Sequence, residues 1–94
     1  MQHYIIVKYN ETAIDREALL KEIGSLFEQA VRMDGIHSVE VRPAVLMSDI
    51  RYDLMICMEM EREALAAFDA SFIHSQWKSG YSGYIRHKVI FDCD

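Results

Sequence analysis

Several residue types that mark specialised protein classes are scarce in this sequence. Its 94 residues include two cysteines, too few for a disulfide framework, so a reducing, cytoplasmic location is expected. One proline and four glycines exclude a collagen-like or linker-like chain. No apolar run approaches the roughly 20 residues that span a bilayer, and the N-terminus lacks a signal-peptide pattern, so we expect no membrane partner.

Positive charge and cofactor motifs are scarce as well. Ten basic residues stand against fifteen acidic ones, for a net charge of −5, so we do not expect nucleic-acid binding, which requires a basic face. The spacings HExxH, His-x-His and Cys-x-x-Cys are absent, as are GxGxxG and Walker loops. We therefore expect no metal and no cofactor. His37 and His87 are interpreted as surface residues, and Asp92 and Asp94 as a solvated acidic tail.

The composition that is present is that of one globular domain over residues 1–94, with 51% apolar and 27% charged residues. β-Branched and alternating segments predict strands at 3–9, 36–41, 52–60 and 84–91. A helical period follows Asp15, which is suited to be an N-cap, and ends at Gly35. A second helix is predicted at 61–70, and a short helical turn followed by a loop at 72–82.

This element order, β-α-β-β-α-β, predicts an α+β, ferredoxin-like fold with a four-stranded antiparallel sheet. Pro43 cannot donate a ladder hydrogen bond, so the second strand is expected to be an edge strand or to end there. Gly24 interrupts the first helix, and we interpret it as a point of close approach.

The first, third and last predicted strands carry apolar residues on both faces. Two helices can cover only one face of such a sheet, and a bare apolar face would promote aggregation. We therefore expect a homodimer in which sheet packs against sheet. The same strand order would separate Cys57 from Cys93 by two strand spacings, about 9.6 Å. This exceeds the ~7 Å limit for bridged Cα atoms, so two free thiols are predicted.

Four segments together resemble the stress-responsive dimeric α/β-barrel (Dabb) family. They are 3–9 (HYIIVKY), 51–54 (RYDL), 72–77 (FIHSQW) and 90–92 (IFD). The resemblance implies two ferredoxin-like subunits whose sheets form a central barrel with the helices outside. Members of the family include plant stress-induced proteins, polyketide cyclases that need no cofactor, and bacterial proteins without assigned chemistry.

The resemblance also implies a site. In the cyclases, histidines at the positions of His3 and His74 line a cavity between sheet and helices, and one serves as general base. Here His74 is the candidate base and His3 its partner, because imidazole exchanges protons near neutral pH. This chain departs from the cyclases at Phe68, where they have a tyrosine, and at Ser71-Phe72, where they have His-Pro. The candidate ligand-binding residues are Ile5, Val7, Phe68, Phe72 and Trp77.

Three functions are compatible with these residues. The first is a homodimer that binds a small apolar or carbonyl-bearing ligand. The second is a cofactor-free lyase or cyclase that uses His74 and His3. The third is a cofactor-free monooxygenase of the related dimeric barrel architecture. Because one fold hosts many chemistries, the geometry of the site has to discriminate among them.

Overall fold

The strands of the computed structural model, which describes residues 1–94, form one antiparallel sheet in the order β2-β3-β1-β4. The strands are β1 (Gln2–Tyr9), β2 (Ile36–Pro43), β3 (Leu54–Met60) and β4 (Ile85–Cys93). The helices are α1 (Arg16–Glu28), α2 (Ala64–Asp69) and α3 (Phe72–Tyr81), and 3₁₀ segments occupy Gln29–Arg32 and Ser82–Tyr84. The predicted ferredoxin-like fold is confirmed, with its second helix divided into α2 and α3.

The core lies between the helices and one face of the sheet. Burial alternates along β1 and β3 with the period of two that a half-covered sheet requires. The buried apolar strand residues of this core are Ile5, Val7, Tyr9, Ile36, Leu54, Ile56, Met58 and Met60. Phe27, Phe68 and Trp77 reach the same core from the helices.

Helix α1 begins as predicted, because the Asp15 carboxylate accepts a hydrogen bond from the Ala18 N–H at 3.1 Å. The expectation for Gly24 is wrong, since a Cβ there would have no heavy atom within 4 Å. The close approach occurs instead at Gly35, which has φ +82° and lies where a Cβ would come within 3.0 Å of the Ala64 Cβ.

Residues 72–82 differ from expectation. They form the ten-residue helix α3 and the start of a 3₁₀ turn, not a short turn and a loop. The Ser71 hydroxyl caps α3 by accepting from the His74 N–H at 3.2 Å, and Ile73 and Trp77 bury one face of the helix. Gly80, inside the last turn, obscured the helical pattern in the sequence.

Both edge strands of the sheet end later in the chain than predicted. Strand β2 is an edge strand, as Pro43 indicated, and Pro43 ends it opposite Leu54. Strand β4 continues two residues beyond its predicted end, to Cys93. This extension places Asp92 opposite His3 in the β1–β4 ladder, so Asp92 belongs to the sheet and not to a solvated tail.

The second face of the sheet carries no helix, and we call it the open face. Its central positions, by register, are Tyr4, Ile6, Met55, Cys57, Val89 and Phe91. Phe91 is 59% exposed, and its ring lies 6.3 Å from that of Tyr4. Cys57 and Cys93 are both free, on strands separated by β1. No helix combines the length and apolar character needed to cross a membrane.

Candidate functional site

The largest cavity is a cleft of about 880 Å³ between the β1–β4 half of the sheet and the α2–α3 layer. It opens to solvent along β4, because that edge strand has no neighbour beyond it. Its lining residues are His3, Ile5, Leu65, Asp69, His74, Ser75, Trp77, Lys78, Ser79, Lys88, Ile90 and Asp92. The cleft therefore brings together the two histidines that the sequence singled out.

His3 is positioned by strand geometry. It shares the helix-facing phase of Ile5 and Val7, and only 4% of it is exposed. The ladder places Asp92 opposite, and the His3 Nδ1–H donates a hydrogen bond to the Asp92 carboxylate. This bond fixes the ring orientation and tautomer, so that Nε2, which has no hydrogen-bond partner in the chain, is available as an acceptor.

His74 is positioned by the first turn of α3. The Ser71 cap holds its backbone, and its side chain is 21% exposed at the cleft wall. Its Nε2 lies 3.9 Å from the Asp69 carboxylate at the end of α2. Each imidazole in the cleft is therefore accompanied by one carboxylate.

Phe68 lies between the two histidines. Its ring centroid is 6.4 Å from that of His3 and 5.5 Å from that of His74, with both imidazoles in edge-on arrangements. Phe68 itself is fully buried and does not line the cleft. The Phe68 ring therefore packs between the two imidazoles, and it offers no hydroxyl to a ligand.

The floor of the cleft is apolar. Ile5 and Ile90 face each other across the β1–β4 ladder, and Leu65 adds a side chain from α2. Trp77 closes the floor, and its inner edge packs against Phe27 with centroids 5.2 Å apart. Trp77 thus belongs to both the core and the cleft wall.

Two of the predicted ligand-binding residues lie elsewhere. Val7 is completely buried beneath the helices, two residues along β1 from Ile5 on the same face. Phe72 is 72% exposed and lies outside the cleft, because a spacing of two residues on a helix turns its side chain away from His74. Of the candidates, the structure brings His3, Ile5, His74 and Trp77 together in the cleft, with Phe68 behind them.

Sequence reasoning missed the polar residues of the cleft. Lys78 and the hydroxyls of Ser75 and Ser79 project from α3, and Lys88 projects from β4. A full helix over 72–81 would have placed the pairs 74/78 and 75/79 on neighbouring rows of one face. A β4 extended by two residues would have paired Asp92 with His3. The remaining histidines lie outside: His37 lies 3.7 Å from Glu61, and His87 contacts Tyr52.

Comparison with known proteins supports the fold alone. No protein-family model and no curated protein matches the sequence. A dimeric ferredoxin-like protein of unknown function from Thermobifida fusca is 9% identical, with a TM-score of 0.78 over 96% of this chain and 85% of its own. A Dabb family protein with a ferredoxin-like fold from Mesorhizobium loti is 11% identical, with a TM-score of 0.71 over 99% and 93%.

A third solved structure is named for an activity. A putative antibiotic biosynthesis monooxygenase from Nitrosomonas europaea is 15% identical, with a TM-score of 0.71 over 99% of this chain and 98% of its own. The fold that the Dabb resemblance implied is thus the fold of a solved Dabb family protein. It is also the fold of a protein named as a monooxygenase.

Proposed function

We propose that the protein is a homodimer in which each subunit binds a small apolar, carbonyl-bearing ligand in the cleft. The observation that carries the proposal is the convergence of His3 and His74 over an apolar floor in one cavity of about 880 Å³. Small-molecule sites typically measure about 300–1,000 Å³ and combine apolar walls with a few polar groups. The cleft has this size, and four of its twelve lining residues are apolar and form its floor.

The open face supports the dimer. Its central positions include the half-buried Ile6 and Val89 and the exposed Phe91, on a sheet whose opposite face is already covered. Contiguous apolar surface of this kind marks an interaction site in most soluble proteins. Similar structures from Thermobifida fusca and Bacteroides fragilis are described as dimeric. A second copy of this chain is the partner we propose for the open face.

Sedimentation at micromolar concentration tests the dimer. The wild-type protein should sediment at twice the 10.9 kDa of one chain. Ile6→Lys, at the centre of the open face, should yield monomers, because a charge would be buried without a partner. Ile14→Lys is the matched control, since Ile14 is 90% exposed in a loop, and it should stay dimeric. A monomeric wild-type protein contradicts this part of the proposal.

Binding of a neutral apolar probe tests the cleft. N-phenyl-1-naphthylamine should quench Trp77, the single tryptophan, and gain fluorescence on binding. Ile90→Glu, which places a charge on the cleft floor, should weaken binding at least tenfold, about 1.4 kcal/mol. Phe72→Glu makes the same kind of change outside the cleft and should bind as the wild type does. Absence of binding, or an equal loss in both variants, contradicts the proposal.

A second candidate, cofactor-free proton transfer, is favoured by the His3–Asp92 hydrogen bond. A carboxylate at Nδ1 stabilises the imidazolium that forms when Nε2 accepts a proton. His3 would remove a proton from carbon next to a carbonyl, and the electrons of the C–H bond would form the enolate. His74 would donate a hydrogen bond to the enolate oxygen. This arrangement exchanges the roles that the family resemblance implied, because the better-oriented imidazole is His3.

Hydrogen exchange in heavy water tests this second function. Acetophenone, whose methyl protons lie next to a carbonyl, should exchange them faster with the protein than in buffer. His3→Gln should abolish the excess rate and Asp92→Asn should reduce it, whereas His37→Gln, outside the cleft, should leave it unchanged. A rate no higher than that of buffer, or one that His3→Gln does not alter, rejects the proposal.

The monooxygenase alternative is favoured by Trp77 in the cleft wall and by the similar structure from Nitrosomonas europaea. In such an enzyme an electron-rich aromatic substrate itself reduces oxygen, so the protein needs only to hold the substrate out of water. Oxygen uptake with anthrone discriminates this function. Uptake above that of buffer, lost in Ile90→Glu and kept in Phe72→Glu, would favour it over the other two.

A further inference from the structure

We propose that the ligand of the cleft carries an anionic group, held by Lys78 and Lys88 at the end of the cleft opposite the histidines. The inference rests on the proposed function, since it concerns the occupant of the same site. It specifies a chemical class: an apolar molecule with a carboxylate, sulfonate or phosphate at one end.

Chain connectivity places the two lysines together. Helix α3 ends at Tyr81, and only the 3₁₀ turn Ser82–Tyr84 separates it from β4, so the end of α3 lies beside the start of β4. Lys78 lies in the last turn of the helix and Lys88 in the first half of the strand. His74 and Asp92, which lie further from the connection on each element, line the other end.

The two lysines of the cleft, Lys78 and Lys88, have no ion-pair partner. Asp92 is hydrogen bonded to His3, and Asp69 faces His74 at 3.9 Å. Neither Lys78 nor Lys88 has a carboxylate within the 4.0 Å of an ion pair; among the lysines only Lys8 does. Two ammonium groups without an ion-pair partner therefore border the largest cavity of a protein whose net charge is −5.

The spacing between the two ends sets the shape of the ligand. Lys88 and Asp92 are four residues apart on β4, which corresponds to roughly 13 Å along a strand. Ile90 lies midway, with Ile5 beside it and Trp77 across the cleft. An apolar body of about 10 Å would thus span from the histidines to the lysines.

A matched pair of fluorescent probes tests the inference. 1-Anilinonaphthalene-8-sulfonate and N-phenyl-1-naphthylamine share one aromatic body, and only the first carries a sulfonate. The wild-type protein should bind the sulfonate probe about three- to tenfold more tightly, the range expected for two solvent-exposed ion pairs. The double variant Lys78→Met, Lys88→Met should lose this preference and keep its affinity for the neutral probe.

Control variants separate a local effect from net charge. Lys21→Met with Arg32→Met removes two positive charges from exposed positions outside the cleft and should keep the preference. Equal affinity for both probes, or a preference that survives in the Lys78/Lys88 variant, overturns the anion inference and leaves the proposed function intact. Failure of both probes to bind the wild-type protein rejects the proposed function, and this inference with it.

Discussion

At the scale of single residues, the interior holds the imidazole of His3 and the carboxylate of Asp53, and each has a hydrogen-bond partner. Asp53 accepts from the Tyr9 backbone N–H at 2.9 Å and from the Arg16 guanidinium at 3.2 Å. The Lys8 ammonium lies 3.8 Å away. Because a buried carboxylate is tolerated only when it is compensated, this cluster joins the start of β3 to the end of β1 and to α1.

Removing this carboxylate should therefore destabilise the fold. Asp53→Ala should lower the free energy of unfolding by about 3 kcal/mol, because Arg16 and the Tyr9 N–H lose their acceptor. Asp49→Ala, at an exposed loop position, is the control and should change it by less than about 0.5 kcal/mol. Urea denaturation measures both. Equal stabilities for the two variants would show that the Asp53 cluster has no structural role.

The Tyr9 hydroxyl is buried without a hydrogen-bond partner. Replacing it should stabilise the protein, and Tyr9→Phe should raise the free energy of unfolding at pH 7 by about 1 kcal/mol. Burial also raises the pKa of Tyr9 above its usual 10.0. The folded chain thus holds this proton more tightly than the unfolded chain, and wild-type stability falls as pH rises through 10 and above.

The advantage of Tyr9→Phe should consequently increase above pH 10, where the wild-type protein loses this contribution and the variant has none to lose. Thermal unfolding followed from pH 7 to pH 11 gives the comparison. An advantage that shrinks as pH rises would contradict the burial of this hydroxyl.

At the scale of elements, sequence patterns succeeded where one face is buried and the element is long. Strands β1 and β3 and helix α1 are each buried on one side. Their apolar residues therefore recur with the period of the element, and the sequence alone predicts all three. Helix α3 was not recognised, because Gly80 lowers its helix propensity and its exposed Phe72 disrupts the apolar pattern. The polar residues that α3 contributes to the cleft were therefore not predicted either.

Alanine substitutions at two glycines should have opposite effects on the free energy of unfolding. Gly24→Ala should raise the free energy of unfolding by about 0.5–1 kcal/mol, because the helical site has open space for a Cβ. Gly35→Ala should lower it by at least about 1 kcal/mol, because φ is +82° and Ala64 is in the way. Chemical denaturation of the two variants provides the test. A destabilising Gly24→Ala would mean that α1 has a neighbour on that face.

At the scale of the whole molecule, the sheet separates two surfaces. The open face lies on one side, and the cleft with its histidines lies on the other, between sheet and helices. The proposed dimer follows from strands that are apolar in both phases, which the sequence shows. The cleft could not be predicted in the same way, because it depends on the register of β4 and the full length of α3. Because the surfaces are separate, a partner on the open face would leave the cleft accessible.

We propose above all that the cleft binds a ligand against His3 and His74. NMR of the four histidines of the chain tests this proposal directly. Imidazole resonances, assigned with single His→Gln variants, can be followed by NMR during titration with N-phenyl-1-naphthylamine. The resonances of His3 and His74 should shift with a common saturation, while those of His37 and His87 stay in place. Shifts confined to His37 and His87, or none at all in the presence of saturating probe, would contradict the claim.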